Sequence, residues 1–418
     1  MGRGVEQEGA TRGNGSVLMA RRGPSGYDAP VNSRLRLVAL ALSTAAALLV
    51  PARPASADEA SGTWTGDVEL RGNYYWERST RVIAPAVSTR LQAPNGLRVN
   101  AEYLVDAITS ASQAAGVLED VRFTEIRHEG TVGLGGEIDL GDAQLDLSGS
   151  FRVSREPDYL SIGGGLNAGL ALNDRATTLR LGAYVIHDEI RQRFQAGTGT
   201  RPDFMGEGTS ADAFEESFNA LSLTAGIEQV LSPVVYFNVT YQYNYLNGFL
   251  ANAYRRVAVA DVLRPENHPG VRHRQSLTGR LAGHIRRTRT SVHVIYRAYW
   301  DSWDIAAITP ELRVYQQLAR YTHLRLRWRH YRQRRAFFYE PAYADDTPED
   351  AYVTADPKMS TFHSHLAGFQ LLLGMGFLED TALDAFREAT LDLNFEYIWN
   401  TNRFGNGVIA QVGLRIPF

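Results

Sequence analysis

The sequence predicts an all-β chain that closes into a transmembrane antiparallel β-barrel of about 16 strands (14–18). Three observations predict it. A secretory leader heads the chain, no later run is long and apolar enough for a spanning helix, and the rest is a succession of two-residue alternations bracketed by aromatic residues. With helices set aside, a closed barrel is the spanning structure that satisfies every backbone polar group within lipid.

The leader comes first. Arg34 and Arg36 precede the apolar run LVALALSTAAALLV (Leu37 to Val50), which Pro51 and Pro54 break before Ala55-Ser56-Ala57 and Asp58. A basic flank, a short apolar core and an A-x-A site have the form of a cleaved signal peptide. The core falls short of the roughly 20 residues that a spanning helix needs. The expected organisation is therefore a leader and signal peptide over residues 1–57 and one outer-membrane barrel over residues 58–418. Composition narrows the function. There is no cysteine, hence no disulfide framework or thiolate site, and the net charge of −3 lacks the basic surplus of a nucleic-acid binder.

The first strand is expected from Trp64 to Trp76. Trp64, Gly66, Val68, Leu70, Gly72, Tyr74 and Trp76 face one way; Thr65, Asp67, Glu69, Arg71, Asn73 and Tyr75 face the other. Aromatic residues at both ends fit the two lipid–water boundaries. The alternation recurs at Leu97–Val105, Leu145–Val153, Leu160–Leu172, Val235–Tyr245, Leu324–Arg329 and Leu391–Trp399, and strands are also expected near 81–91, 305–315 and 358–373.

Connections supply a second pattern. Long ones are expected near 108–122, 188–216, 247–272 and 335–358, after the third, seventh, ninth and thirteenth strands. Short turns such as Ala93-Pro94-Asn95-Gly96 and Gly141-Asp142 follow even-numbered strands. This is the arrangement of a barrel with its N-terminus in the periplasm. One segment departs from it: Gly376–Thr390 has helical spacing where a short turn is expected.

The last strand alternates Val408, Ala410, Val412, Leu414, Ile416 and Phe418 with Ile409, Gln411, Gly413 and Arg415. A terminal aromatic on such a strand resembles the signal read by the barrel-assembly machinery, with Val412, Leu414, Ile416 and Phe418 as its apolar face.

Four stretches, YLVDAITSAS (Tyr103–Ser112), RFTEIRHEG (Arg122–Gly130), SREPDYLSIGGGL (Ser154–Leu166) and TADPKMSTF (Thr354–Phe362), resemble an uncharacterised family of bacterial outer-membrane proteins catalogued as a domain of unknown function. The resemblance implies the Gram-negative outer membrane and the barrel. It implies no catalytic residue and no substrate.

The candidate chemistry lies on the polar face. Arg325, Arg327 and Arg329 share a face with His323, and Arg152, Arg180, Arg280, Arg297 and Arg415 are expected to point inward. Asp67, Glu69, Glu102, Asp146, Asp392 and Glu396 oppose them. Such walls orient permeating solutes, and a basic constriction favours anions; alternatively the charges pair and fill the barrel. Glu125, Arg127 and Glu129 form one face of a strand with His128 on the other, which favours a salt-bridge ladder over a base acting on a loop serine. His363 and His365 share a side, but two ligands do not make a metal site. Asp345, Asp346, Glu349, Asp350 and Asp356 make one loop acidic, which suits solvation or cations bound by lipopolysaccharide. No spacing singles out a nucleophile.

The expected function is a passive, porin-like channel for small polar or anionic solutes, with no enzyme activity, no cofactor and no metal. The competing readings are a plugged structural barrel serving a periplasmic or surface partner and, third, a rim hydrolase. Expected partners are outer-membrane lipid, lipopolysaccharide, the barrel-assembly machinery, small polar solutes and further copies of the chain.

Overall fold

The computed structural model describes residues 62–78, 80–111, 122–191, 215–252 and 255–418. The leader expected over 1–57 lies outside them, as do most of two of the expected long connections, 112–121 and 192–214.

The barrel strands run in chain order: β1 (Thr65–Glu77), β2 (Thr80–Gln92), β3 (Arg98–Ala111), β4 (Arg122–Asp139), β5 (Ala143–Arg155), β6 (Tyr159–Leu172), β7 (Thr177–Arg191), β8 (Glu215–Ser232) and β9 (Val235–Gly248). After a long connection that holds a small hairpin, β10 (Arg256–Val259) and β11 (Val262–Pro265), come β12 (Val271–Ile285), β13 (Thr290–Asp301), β14 (Ala306–Ala319), β15 (Thr322–Gln333), β16 (Phe362–Gly374), β17 (Thr390–Asn400) and β18 (Gly407–Pro417). Omitting the hairpin, sixteen strands pair antiparallel with their sequence neighbours, and β1 pairs with β18 to close the sheet. Closure leaves no unpaired edge, so each strand's backbone groups are met by its two neighbours.

The alternation decides which side each residue takes. Leu166 is 71% exposed and Leu181 65%, and Leu134, Leu147, Val185 and Leu326 are exposed in the same way. In water such a surface would be a liability; in lipid it is the solvated face. Trp76, Trp300 and Trp399 stand on this outer face near the end that carries the long connections. This architecture places the protein in the bacterial outer membrane. Among the described residues no helix is long and apolar enough to cross a membrane.

The last strand behaves as its alternation predicts. Phe418 exchanges backbone hydrogen bonds with Gly66, each of 2.9 Å, so the terminal residue completes the closing ladder. The even-numbered connections are tight: Gly141 turns between β4 and β5 at φ +83°, a conformation that a residue with a β-carbon rarely takes. The segment expected to be helix-like contains two 3₁₀ turns, Gly376–Leu378 and Asp384–Phe386, rather than an α-helix. At the opposite end the connections 249–270 and 334–361 fold against each other. The apolar residues buried there are the molecule's nearest equivalent of a soluble core.

Candidate functional site

The register places all the expected inward charges on one face, the lumen wall, and shows how they pair. Arg327 lies between two carboxylates. It donates to Glu396 at 2.9 and 3.0 Å and to Glu311 at 3.0 and 3.0 Å. Arg325 reaches Asn394 at 3.0 Å and Glu396 at 3.5 Å. These contacts run from β15 to β17 across β16, where the residue directly between Arg327 and Glu396 is Gly368. A β-carbon there would stand 2.5 Å from the Phe395 carbonyl oxygen and 2.6 Å from Glu396 Cγ. Glycine thus lets an ion pair span an intervening strand. The same device recurs where Arg98 on β3 pairs with Asp146 on β5 across Gly135, and where Arg71 on β1 approaches Asp392 on β17 across Gly413.

Pairing disposes of many of the expected charges. Arg152 bonds Glu129 at 2.6 Å, Arg180 bonds Glu228 at 2.7 Å, Arg415 bonds Asp67 at 2.9 Å, and Glu69 is held by Arg71. Asp392 accepts from Gln370 at 2.6 Å. What remains is uneven. Among the described residues Arg274, Arg280, Arg297 and Arg329, on β12, β13 and β15, have no carboxylate partner; Arg297 instead stands 5.7 Å from the Tyr299 ring centre. Among the same residues Glu102 on β3 and Asp188 on β7 have no cation in ion-pair contact. β3 and β13 are eight places apart in the sixteen-strand order, so Glu102 faces the basic side across the lumen, while Asp188 on β7 lies three places from β12 on its flank.

Above these walls the two long connections form a cap. Val257 and Val259 pack with Val353 and Ala355, while Trp303 and Ile305 pack with Ala336 and Phe338. Tyr343 is the hub: its hydroxyl accepts the Thr354 amide at 2.8 Å and the Glu340 amide at 3.1 Å. The Gln333 side chain, on the inward end of β15, donates to the carbonyls of Lys358 and Ser360 at 2.8 and 2.7 Å, which draws that loop over the lumen. Arg255 pairs with Asp356, whose Oδ1 accepts the Lys358 amide at 2.9 Å. Burial works against the Arg255 charge, but Asp356, helped by Glu266 and Glu77, outweighs it and holds the guanidinium above its ordinary pKa. Glu77 closes β1, eight places from β9, so the loop leaving β9 reaches across the mouth.

The remaining candidates separate. His128 is on the outer face, bonded to the Tyr103 hydroxyl at 2.8 Å, while Arg127 pairs with Asp106 inside. The Glu125 side chain lies outside the described residues. His363 and His365 also face outward, where His330 joins them with its ring centre 4.6 Å from that of His365. Among the described residues no group of three or more His, Cys, Asp or Glu is arranged to hold a metal ion. Of the loop acids, Asp356 is committed to Arg255 and to a 3₁₀ turn. Sequence reasoning missed Glu311, which neutralises Arg327 and Arg313, and the cap as a folded unit. Glu311 carries the right alternation in the sequence, but its partners depend on register.

The chain belongs to the family described as Protein of unknown function (DUF3570), whose model matches residues 118–411. No curated protein matches it. Among solved structures it is similar to the outer membrane protein OprD from Pseudomonas aeruginosa, at 7% identity and a TM-score of 0.39, covering 85% of this chain and 94% of that one. It is similar to the siderophore receptor PirA from Acinetobacter baumannii, at 8% identity and a TM-score of 0.43, covering 82% of this chain and 53% of that one. A bacterial polysaccharide outer membrane secretin shares 10% identity with a TM-score of 0.43, covering 84% of this chain and 98% of that one.

Proposed function

We propose that this member of the DUF3570 family is a passive channel for small polar solutes, with passage rather than catalysis as its role. The observation that carries the proposal is the group of arginines without carboxylate partners among the described residues, Arg274, Arg280, Arg297 and Arg329, with Glu102 facing them across a sixteen-strand lumen. A barrel of this strand number is wide enough for water. The transverse field between such walls orients dipolar solutes, and the excess of uncompensated arginines favours anions. The cap narrows the entrance, so solutes enter beside it or as it shifts. Single-channel recording of the refolded protein under a KCl gradient tests this. Discrete steps with a reversal potential displaced toward that of chloride are expected; a barrel that is folded by heat-modifiable migration yet electrically silent would refute it.

A second reading rests on the cap itself. If the connections 249–270 and 334–361 stay closed, the barrel is plugged, and their outer surface is the part that meets a partner. A silent wild type that conducts once residues 336–358 are replaced by a short Gly-Ser linker supports the plugged reading.

A further inference from the structure

Three of the four stretches by which the sequence resembles its family meet at one place on the lumen wall. Asp106 comes from the first, Arg127 and Glu129 from the second, and Ser154, Tyr159 and Ser161 from the third. There, across β4 to β7, a cavity of about 380 Å³ is lined by Arg127, Arg152, Ser154, Tyr159, Ser161 and Asp188 among others. Ion pairing accounts for part of this constellation: Arg127 with Asp106, and Arg152 with Glu129 at 2.6 Å and with the Ser161 hydroxyl at 3.1 Å. It leaves two groups unexplained. Asp188 is 5% exposed; its Oδ2 accepts the Tyr159 hydroxyl, but its Oδ1 has no partner. The Arg127 Nε–H is likewise buried without an acceptor. A buried acceptor and a buried donor left open beside one cavity are costly unless something occupies it.

The glycines of the third stretch supply the other half of the site. Gly163 and Gly165 face the lumen on β6, opposite Ile186 and Tyr184 on β7. A β-carbon at Gly163 would stand 2.8 Å from the Tyr184 hydroxyl and 3.0 Å from its Cε1, and one at Gly165 would overlap Cδ2 of the same ring. The ring therefore lies along β6 over the two glycines, with its hydroxyl directed toward Gly163, the position paired with Arg152. The ring is half-buried and stands at the edge of the cavity, two positions along β7 from the lining residue Ile186. An aromatic platform beside a cluster of carboxylate, guanidinium and hydroxyl groups is the arrangement that recognises a pyranose. The C–H face stacks on the ring, and each sugar hydroxyl donates to a carboxylate while accepting from a guanidinium.

We propose that this cavity and the ring at its edge form a saccharide-binding subsite of the channel, with Tyr184 as the stacking platform and Asp188, Arg127 and Arg152 as the hydroxyl-reading groups. The proposal deepens the channel reading by naming a neutral polyhydroxyl solute. The walls' charges then orient the sugar without competing for it, since a neutral sugar has no charge to pay for desolvating.

The test separates binding from passage. Saturation-transfer NMR of the refolded full chain in detergent micelles, with glucose and maltose as probes and glycerol as the control, reads binding whether or not the barrel conducts. Transfer from protein to the sugar ring protons, strongest at the C–H face and absent with glycerol, is expected. Two variants, Tyr184→Leu and Asp188→Asn, are each expected to weaken the signal about tenfold or more while the heat-modifiable barrel persists. Absence of transfer to both sugars, or equal transfer in wild type and both variants, would overturn the site. Single-channel recording of the wild type with added maltose gives the other arm. Transient current blocks place the bound sugar in the conducting path. A silent barrel that nonetheless binds sugar overturns the channel reading and leaves the site standing.

Discussion

Glu396 is the point at which the lumen's electrostatics are most easily tested. Its side chain is 4% exposed, and the arginines it holds, Arg325 and Arg327, are 18% exposed, so water screens these contacts little. Removing one member of a buried ion pair costs about 3–5 kcal/mol because the other charge is left uncompensated. Here the loss is partial. Arg327 keeps two bonds of 3.0 Å to Glu311, and Arg325 keeps Asn394 at 3.0 Å. Glu396→Gln, which preserves shape and one acceptor, is therefore expected to cost about 1.5–3 kcal/mol, the range for a charge-assisted hydrogen bond. Urea unfolding of the barrel in lipid vesicles, followed by tryptophan fluorescence, measures it. The same substitution removes a negative charge from beside two arginines, so the reversal potential in a KCl gradient should move toward that of chloride. A stability change within about 0.5 kcal/mol, or a shift toward the potassium potential, would contradict the pairing described here.

Four further outcomes follow from the same structure. Arg297→Gln with Arg329→Gln removes two arginines that hold no carboxylate, so anion preference should fall with a stability change under about 1 kcal/mol; unchanged reversal potential in the bilayer would show that these side chains do not face the conducting path. Tyr343→Phe strips the cap of the hydroxyl that serves the Thr354 and Glu340 amides; hydrogen exchange should rise across 334–361 and stay slow in the barrel, and equal protection in both forms would dismiss the hub. Gly368→Ala puts a methyl group against the Phe395 carbonyl and Glu396 and is expected to cost about 1–3 kcal/mol and lower the refolding yield; wild-type stability would mean that β16 yields freely. Phe418→Ala should reduce the amount of assembled barrel in cells more than it reduces refolding in detergent; equal losses in both would indicate a packing role alone.

Much of the fold is written locally. In a strand successive side chains take opposite faces, so Leu391, Leu393 and Phe395 had to face away from Asp392, Asn394 and Glu396 wherever the strand was placed. Loop lengths alternate along the chain and are read without knowing any contact, which is why the strands before 249–270 and 334–361 were legible as odd-numbered ones. The inward set Arg152, Arg297, Arg325, Arg327, Arg329, Arg415, Glu102, Asp392 and Glu396 came from the same rule, and the register keeps every one of them on the lumen face.

Which of those charges remain uncompensated is a different matter, because it depends on register between strands far apart in sequence. Arg327 meets Glu396 only because Gly368 is the residue between them, and Arg329, two positions on and directly opposite Glu311, makes no ion pair among the described residues because Glu311 is held by Arg327 and Arg313. The cap was equally illegible: its buried valines belong to segments nearly a hundred residues apart, Val257 with Val353, and neither segment has a periodicity that names the other. Tyr184 over Gly163 and Gly165 is the same kind of fact. The Leu160–Leu172 alternation put the two glycines on the polar face; only the pairing of β6 with β7 set the ring upon them, beside the cavity. The barrel and its two faces are legible along the chain, since both follow from the two-residue period of a strand. The charge pairing, the cap and the cavity are not, since each is made by residues that the chain brings together only on closure.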